Sequence, residues 1–272
     1  MCSFLDKKRL IFISRYVYCR PCDLASFKSI RECAKTIQAK EDRIDGLINN
    51  AGVMFAPRSF TVDGIETHWS VNHLGHYLLT RLLSDQLENG GRVLYMVNMD
   101  YRKATEGIKF ADINMNEKYD KSYAFYQSQL ANVLIMRKLA KELESKFITV
   151  NAVYPGIVKG TQIKRHMSID KSKLSKHISG QFLSLAEKNA KEAVHTPLFL
   201  LLDRSVAGTT GKMYNNMNEM AILNVGLDEE SGKKLTLIND YWTDLKSKTE
   251  IAAEAAAEAS SSQVDKTVAI SN

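Results

Sequence analysis

The sequence predicts an α/β protein, a single domain built on a doubly wound parallel sheet. Three observations carry this. Short apolar runs rich in β-branched residues alternate with stretches of helical period, the pattern of strands joined by crossover helices. Polar and glycine-bearing segments follow directly after those runs, where open parallel sheets bind their ligands. The chain has 272 residues, 44% hydrophobic and only 4 proline, which suits one sizeable core rather than a string of linked modules.

The elements follow in order. Residues 9–14 (RLIFIS) and 16–22 (YVYCRPC) read as short strands. Asp23 reads as a helix N-cap, because Leu24, Phe27, Ile30, Ala34 and Ile37 then recur at helical spacing. Residues 46–50 (GLINN) form a strand ending at Ala51-Gly52, followed by a loop with Pro57, Asp63 and Gly64. Residues 71–87 form a long helix broken by Gly90-Gly91, and 92–97 (RVLYMV) a buried strand. Residues 121–145 form a second long helix, and 147–154 (FITVNAVY) a strand closed by Pro155-Gly156. A third helix covers 191–202 and a last short strand 211–214. The domain spans 1–248. Residues 249–272, Ala/Glu-rich and then Ser-rich, read as a marginal helix fraying into disorder.

Composition excludes several functions. Lys+Arg outnumber Asp+Glu by 37 to 31, a net charge of +6. That mild excess suits an anionic cofactor or a membrane surface and is no nucleic-acid footprint. The cysteines are Cys2, Cys19, Cys22 and Cys33. With no secretory leader ahead of them, they read as free thiols of a cytoplasmic protein. Cys19 and Cys22 form a C-x-x-C, but no second ligand pair follows for zinc, and a redox pair would open a helix rather than end a strand. His73 and His76 lack a third ligand, so no metal is expected. Lys159, Lys164, Arg165, Lys171, Lys173 and Lys176 make a basic segment that reads as a solvated loop, with anionic lipid headgroups as the alternative. No apolar run is long enough to span a bilayer, so membrane contact is expected to be peripheral at most.

Seven segments stand in a telling order: 22–27 (CDLASF), 47–54 (LINNAGVM), 71–79 (VNHLGHYLL), 91–98, 128–134 (SQLANVL), 149–158 (TVNAVYPGIV) and 208–214 (GTTGKMY). Together they resemble the short-chain dehydrogenase/reductase superfamily, in its retinol dehydrogenase-like branch, over about residues 15–245. The resemblance implies a Rossmann-like sheet, NADP or NAD as cofactor, and small lipophilic alcohols or carbonyls as substrates. It places Asp23 and Leu24 at the adenine edge, and Asn50, Ala51 and Gly52 in a turn running close beside the cofactor. Pro155, Gly156 and Val158 fall at the nicotinamide end, and Asn72 holds a water of the proton relay. It also implies dimerisation through the two long helices.

The chain departs from that pattern in two places. The family opens with a strand, a Gly-rich turn and a helix that cradle the pyrophosphate. Here the first glycine is Gly46, so that N-terminal unit is missing or degenerate. The strand at 46–50 is then left with an open edge, unless residues 9–14 or another chain fill it, or the sequence is an incomplete product. At the reacting centre, the serine, tyrosine and lysine positions hold Asn98, Phe125 and Gln129. A phenol beside an ammonium group can pass a proton near neutrality. Phe125 has no such proton and Gln129 no charge. Tyr126 and Tyr123 lie on other faces of the helix. The expectation is a catalytically impaired protein acting as a binding or regulatory subunit, as a homodimer or paired with an active relative. The alternative is an active NAD(P)-dependent oxidoreductase with a divergent site.

Overall fold

The computed structural model describes residues 17–87, 89–166 and 187–246. The expected strand at 9–14, the tail at 249–272 and Lys171, Lys173 and Lys176 lie outside the described residues.

The first helix, α1, is Phe27–Gln38. It starts later than the spacing predicts, because Ser26 and not Asp23 is its cap. The Ser26 hydroxyl accepts from the Ser29 N–H at 3.3 Å, while Asp23 Oδ1 accepts from the Ala25 N–H at 3.0 Å in the turn before it. Residues 17–22 do not pair as a strand. Pro21 removes a ladder donor there, and Arg20 ties the segment to Glu41 at 2.7 Å, beyond the end of α1.

Strand β1 (Gly46–Asn49) is followed by a π-helical turn, Trp69–Leu74, that runs into α2 (Gly75–Leu82). α2 packs under the start of α1 because position 75 is glycine: a Cβ there would lie 2.9 Å from Leu24 Cβ. Strand β2 (Arg92–Met96), α3 (Lys121–Glu142) and β3 (Thr149–Val153) come next. Asp120 caps α3, its carboxylate accepting from the Ser122 and Tyr123 N–H groups. Two short strands, β4 (Ile157–Val158) and β5 (Glu187–Lys188), pair with each other. The expected helix at 191–202 is two, α4 (Ala190–Ala193) and α5 (His195–Leu202). Strands β6 (Met213–Asn215) and β7 (Asn218–Met220) form a hairpin, and α6 is Glu229–Trp242.

The main sheet has the order β1-β2-β3-β6-β7, parallel except for the final hairpin pair. Among the described residues, no strand flanks β1 on its outer side. One face carries Val93, Tyr95, Val150 and Ala152 into the core with α2 and α3. The other carries Leu94, Val153 and Tyr214 against Leu200 of α5. The helix pattern of 229–242 was not anticipated. α6 lies on α3, where Asn239 and Asp240 are fully buried. Between them α1, α6 and the sheet leave no exposed residue on α2, and on α3 only Lys121 and Lys141 are exposed.

Candidate functional site

The sequence-predicted positions meet at the carboxyl ends of β1 and β2. Asn50 and Ala51 are exposed just past β1, and Gly52 is half-buried. Asn72 is 2% exposed and clamps this turn to α3. Its Oδ1 accepts from the Val53 N–H at 2.8 Å, and its Nδ2 donates to the Val53 carbonyl at 2.9 Å and to Ser128 Oγ at 3.0 Å. A Cβ on Gly52 would sit 3.2 Å from Asn72 Oδ1, so a larger residue would press on the clamp. Asn49, overlooked in the sequence, is buried beside them and donates to Thr80 Oγ1 at 2.9 Å. Only its place inside the Asn-Asn-Ala-Gly run could have flagged it.

Asn98, Phe125 and Gln129 are close together and all engaged. Asn98 Oδ1 accepts from the Asp100 N–H at 2.9 Å, capping a 3-10 helix, Met99–Lys103. The Asn98 N–H donates to Gln129 Oε1 at 2.8 Å. Phe125 is 2% exposed. Its ring stands edge-on to Phe55 at 5.3 Å, with His68 at 6.3 Å and Tyr126 at 6.2 Å. An aromatic cluster of this kind suits a benzene ring.

Behind Phe125 lies a buried carboxylate–imidazole pair. Glu66 Oε1 accepts from His68 Nδ1 at 2.8 Å and from the Tyr119 hydroxyl at 3.1 Å, and His68 Nε2 accepts from the Ala56 N–H at 3.0 Å. Burial pushes the Glu66 carboxyl up, but the His68 and Trp69 donors outweigh it and hold it below its usual range. With both imidazole nitrogens engaged, the pair fixes the loop under Phe125.

One pairing was not legible. Lys103 Nζ lies 5.2 Å from the Tyr126 ring centre and 2.8 Å from Asp100 Oδ1. Tyr126 thus has an ammonium neighbour, reached through the 3-10 helix rather than along α3. Pairing of this kind depends on tertiary approach, and no spacing in the sequence marks it.

At the far end, Gly156 has φ +86°, and a Cβ there would meet the Lys188 side chain at 3.2 Å. Val158 sits in β4 beside Lys188, and Pro155 is half-buried next to them. A cavity of about 490 Å³ opens between the Met99–Lys103 turn and the β6–β7 hairpin, lined by Met99, Arg102, Tyr154, Asn215, Asn218 and Met220. Asp23 is exposed and Leu24 lies against Gly75. No described residue supplies a Gly-rich phosphate turn, since the chain's first glycine already lies in β1. His73 and His76 are held in a buried network instead of converging on a ligand. His73 meets Asn132 at 3.0 Å and Asn239, and His76 Nδ1 meets the Asn72 carbonyl at 3.0 Å. No helix among the described residues is long and apolar enough to cross a membrane.

The sequence profile described as "Enoyl-(Acyl carrier protein) reductase" matches residues 12–215. Retinol dehydrogenase 13 of Homo sapiens is 37% identical over 225 residues, covering 82% of this chain and 67% of that protein. The chain belongs to the short-chain dehydrogenase/reductase family and is retinol dehydrogenase-like. Retinol dehydrogenase 14 of Mus musculus is 36% identical, over 82% of this chain and 66% of its own length. The chloroplastic short-chain dehydrogenase TIC 32 B of Brassica napus is 32% identical, over 85% and 74%. The chain thus spans about two-thirds of the retinol dehydrogenases it matches. Among solved structures, NADPH-bound carbonyl reductase from chicken fatty liver aligns with a TM-score of 0.51 at 17% identity, over 74% of this chain and 76% of that one. A Mycobacterium paratuberculosis protein aligns with a TM-score of 0.57 at 24% identity, over 83% and 75%. These likenesses bear on the fold. Short-chain dehydrogenases/reductases are oxidoreductases; in this member Asn72, Phe125 and Gln129 are all buried side chains.

Proposed function

We propose that this chain is a retinol dehydrogenase-like short-chain dehydrogenase/reductase that does not carry out hydride exchange itself and acts as a binding or regulatory subunit. The observation behind this is the burial of Phe125 in an aromatic cluster, with Gln129 Oε1 holding the Asn98 N–H. Reduction of a carbonyl needs a proton delivered to its oxygen, and oxidation of an alcohol needs one removed. Phe125 can do neither, and Gln129 brings no charge to tune a neighbour. Loss of a general acid costs on the order of 10²–10⁴ in rate. Weak binding of NADP or NAD belongs to the same reading, because residues 17–45 contain no glycine with which to form a turn of backbone N–H donors for the pyrophosphate. Isothermal titration with NADPH and NADH, with a retinal reduction assay beside it, tests the proposal. Negligible turnover is expected, together with an altered rate when the chain is mixed with an active relative. Turnover by the purified chain at a rate typical of such relatives ends it.

A second reading is favoured by Lys103 and Tyr126. In it the chain is an active oxidoreductase of small lipophilic alcohols or carbonyls, with the Tyr126 phenol as proton donor and the Lys103 ammonium beside it. Under this reading Tyr126→Phe abolishes an NADPH-dependent reduction that the parent chain performs. Failure of NADPH to bind at millimolar concentration removes it.

A further inference from the structure

We propose that Cys22 and Cys33 form an intrachain disulfide when the chain meets hydrogen peroxide, a covalent bond between the segment ahead of α1 and the helix itself. This pair is not the C-x-x-C of Cys19 and Cys22. It joins two different elements and is visible only in the fold.

The backbone places the two residues together. The Asp23 N–H donates to Ser29 Oγ at 2.9 Å, so the chain just after Cys22 lies on the first turn of α1. Cys33 stands at i+4 from Ser29 on the same helix face, about 6 Å further along the axis. Cys22 is one residue back from Asp23, a step of about 3.8 Å between Cα atoms. At the other end, Arg20 Nη2 lies 2.7 Å from Glu41 Oε1, past the end of α1. Between these anchors the segment runs along the helix, with Tyr18, Cys19 and Arg20 facing Glu32, Cys33 and Thr36 across one cleft.

The side chains complete the contact. The Cys22 and Cys33 thiols lie against each other, and burial, with Cys33 and Asp23 beside it, pushes the Cys22 thiol up to about 12. Cys33 is 6% exposed, Cys22 is half-buried, and both are free thiols. Joining two side chains that already touch requires little backbone movement. A thiol held so far from ionising is a slow nucleophile, so the bond forms slowly and only where oxidant is in excess.

The step balances with hydrogen peroxide as oxidant. The sulfur of Cys22, the less buried of the two, attacks one peroxide oxygen; the O–O bond breaks, giving a sulfenic acid and water. The Cys33 sulfur then displaces the sulfenic hydroxyl, which leaves as water with the Cys33 proton, and the S–S bond forms. The two thiols together give up two electrons, and the peroxide is reduced to water. The product closes the loop between Cys22 and Cys33. It also fixes the turn at Asp23 and Leu24, where Leu24 lies against Gly75 of α2.

The test treats the full chain carrying Cys2→Ser and Cys19→Ser with excess hydrogen peroxide at neutral pH. Remaining thiols are blocked with N-ethylmaleimide and the digest is mapped by mass spectrometry. The expected product has no thiol left to block and one dithiothreitol-sensitive peptide pair carrying Cys22 and Cys33. Its thermal midpoint should lie about 5 °C above that of the reduced sample. In the parent chain, treated alike, the same pair should outnumber Cys19–Cys22 and Cys19–Cys33. Cys33→Ser should leave Cys22 without an intrachain partner and remove the gain in midpoint on oxidation. Thiols still open to maleimide after oxidation, sulfinic acid without a crosslink, bonds between chains, or a predominant bond to Cys19 in the parent overturns the inference.

Discussion

Gln129 Oε1 accepts the backbone N–H of Asn98 at 2.8 Å, so a side chain of α3 holds the chain just past the end of β2. Gln129→Lys should therefore destabilise the protein, by about 1–3 kcal/mol, because the half-buried N–H loses its acceptor and a charge enters a site that is 6% exposed. Urea unfolding of the single variant checks this. A variant as stable as the parent would show that the bond holds nothing in place.

Phe125→Tyr adds a hydroxyl inside the cluster of Phe55, His68 and Tyr126. His68 already engages the Ala56 N–H and Glu66, so it offers the new group no free nitrogen. The expected cost is about 1–3 kcal/mol, read as a lowered midpoint of thermal unfolding. Adding Gln129→Lys should not restore retinal reduction to the level of an active relative.

Strands β1, β2, β3 and β6 were legible because they are compact apolar runs followed by Gly or Asn at a turn, whereas β7 is a short polar strand that no apolar run marks. Asn72 was singled out by the run at 71–79, Asn98 by the start of the run at 91–98, and Phe125 and Gln129 by their spacing from Ser128; the structure brings Asn98 to Gln129 and Asn72 to Ser128. What escaped was long-range. Asp23 and Ser26 are both competent caps, and only the Asp23–Ala25 turn decides between them. The segment at 17–22 has strand composition but no pairing partner within the described residues. α6 carries a weak apolar stripe, since its inner face presents Asn239 and Asp240 to other helices. The approach of Lys103 to Tyr126 is purely tertiary.

Acid should destabilise the protein well above the carboxylate range. Burial holds the His73 and His76 rings below their ordinary value, to about 4 in each case. Unfolded, each titrates at about 6.5. The unfolded chain therefore binds more protons between these values, so the stability present above pH about 6.5 is lost as the pH falls towards about 4, by roughly 3 kcal/mol per ring. His76→Gln keeps a donor for the Asn72 carbonyl and removes one titration. Denaturant unfolding at neutral and mildly acidic pH should show a smaller difference for the variant than for the parent. Equal differences would mean that His76 is already protonated in the folded state or is solvated.

The Tyr77 hydroxyl donates to Asp240 Oδ1, and Lys246 Nζ lies 3.2 Å from Oδ2. Asp240 is fully buried, so this cluster joins α2 to α6 across the core. Burial, opposed by Arg81 and aided by Asp240, drives the Tyr77 phenol far above its usual range, so it stays a donor at every accessible pH. Tyr77→Phe removes that donor and leaves a buried carboxylate with one fewer partner, at a cost of about 2–4 kcal/mol. Asp240→Asn should cost less, because a neutral amide oxygen still accepts from the phenol. A double-mutant cycle of Tyr77→Phe with Asp240→Asn should give a coupling energy above about 1 kcal/mol. Additive effects would mean that the phenol–carboxylate bond adds nothing to what the His73–Asn239 bond and the packing of α6 on α3 already hold.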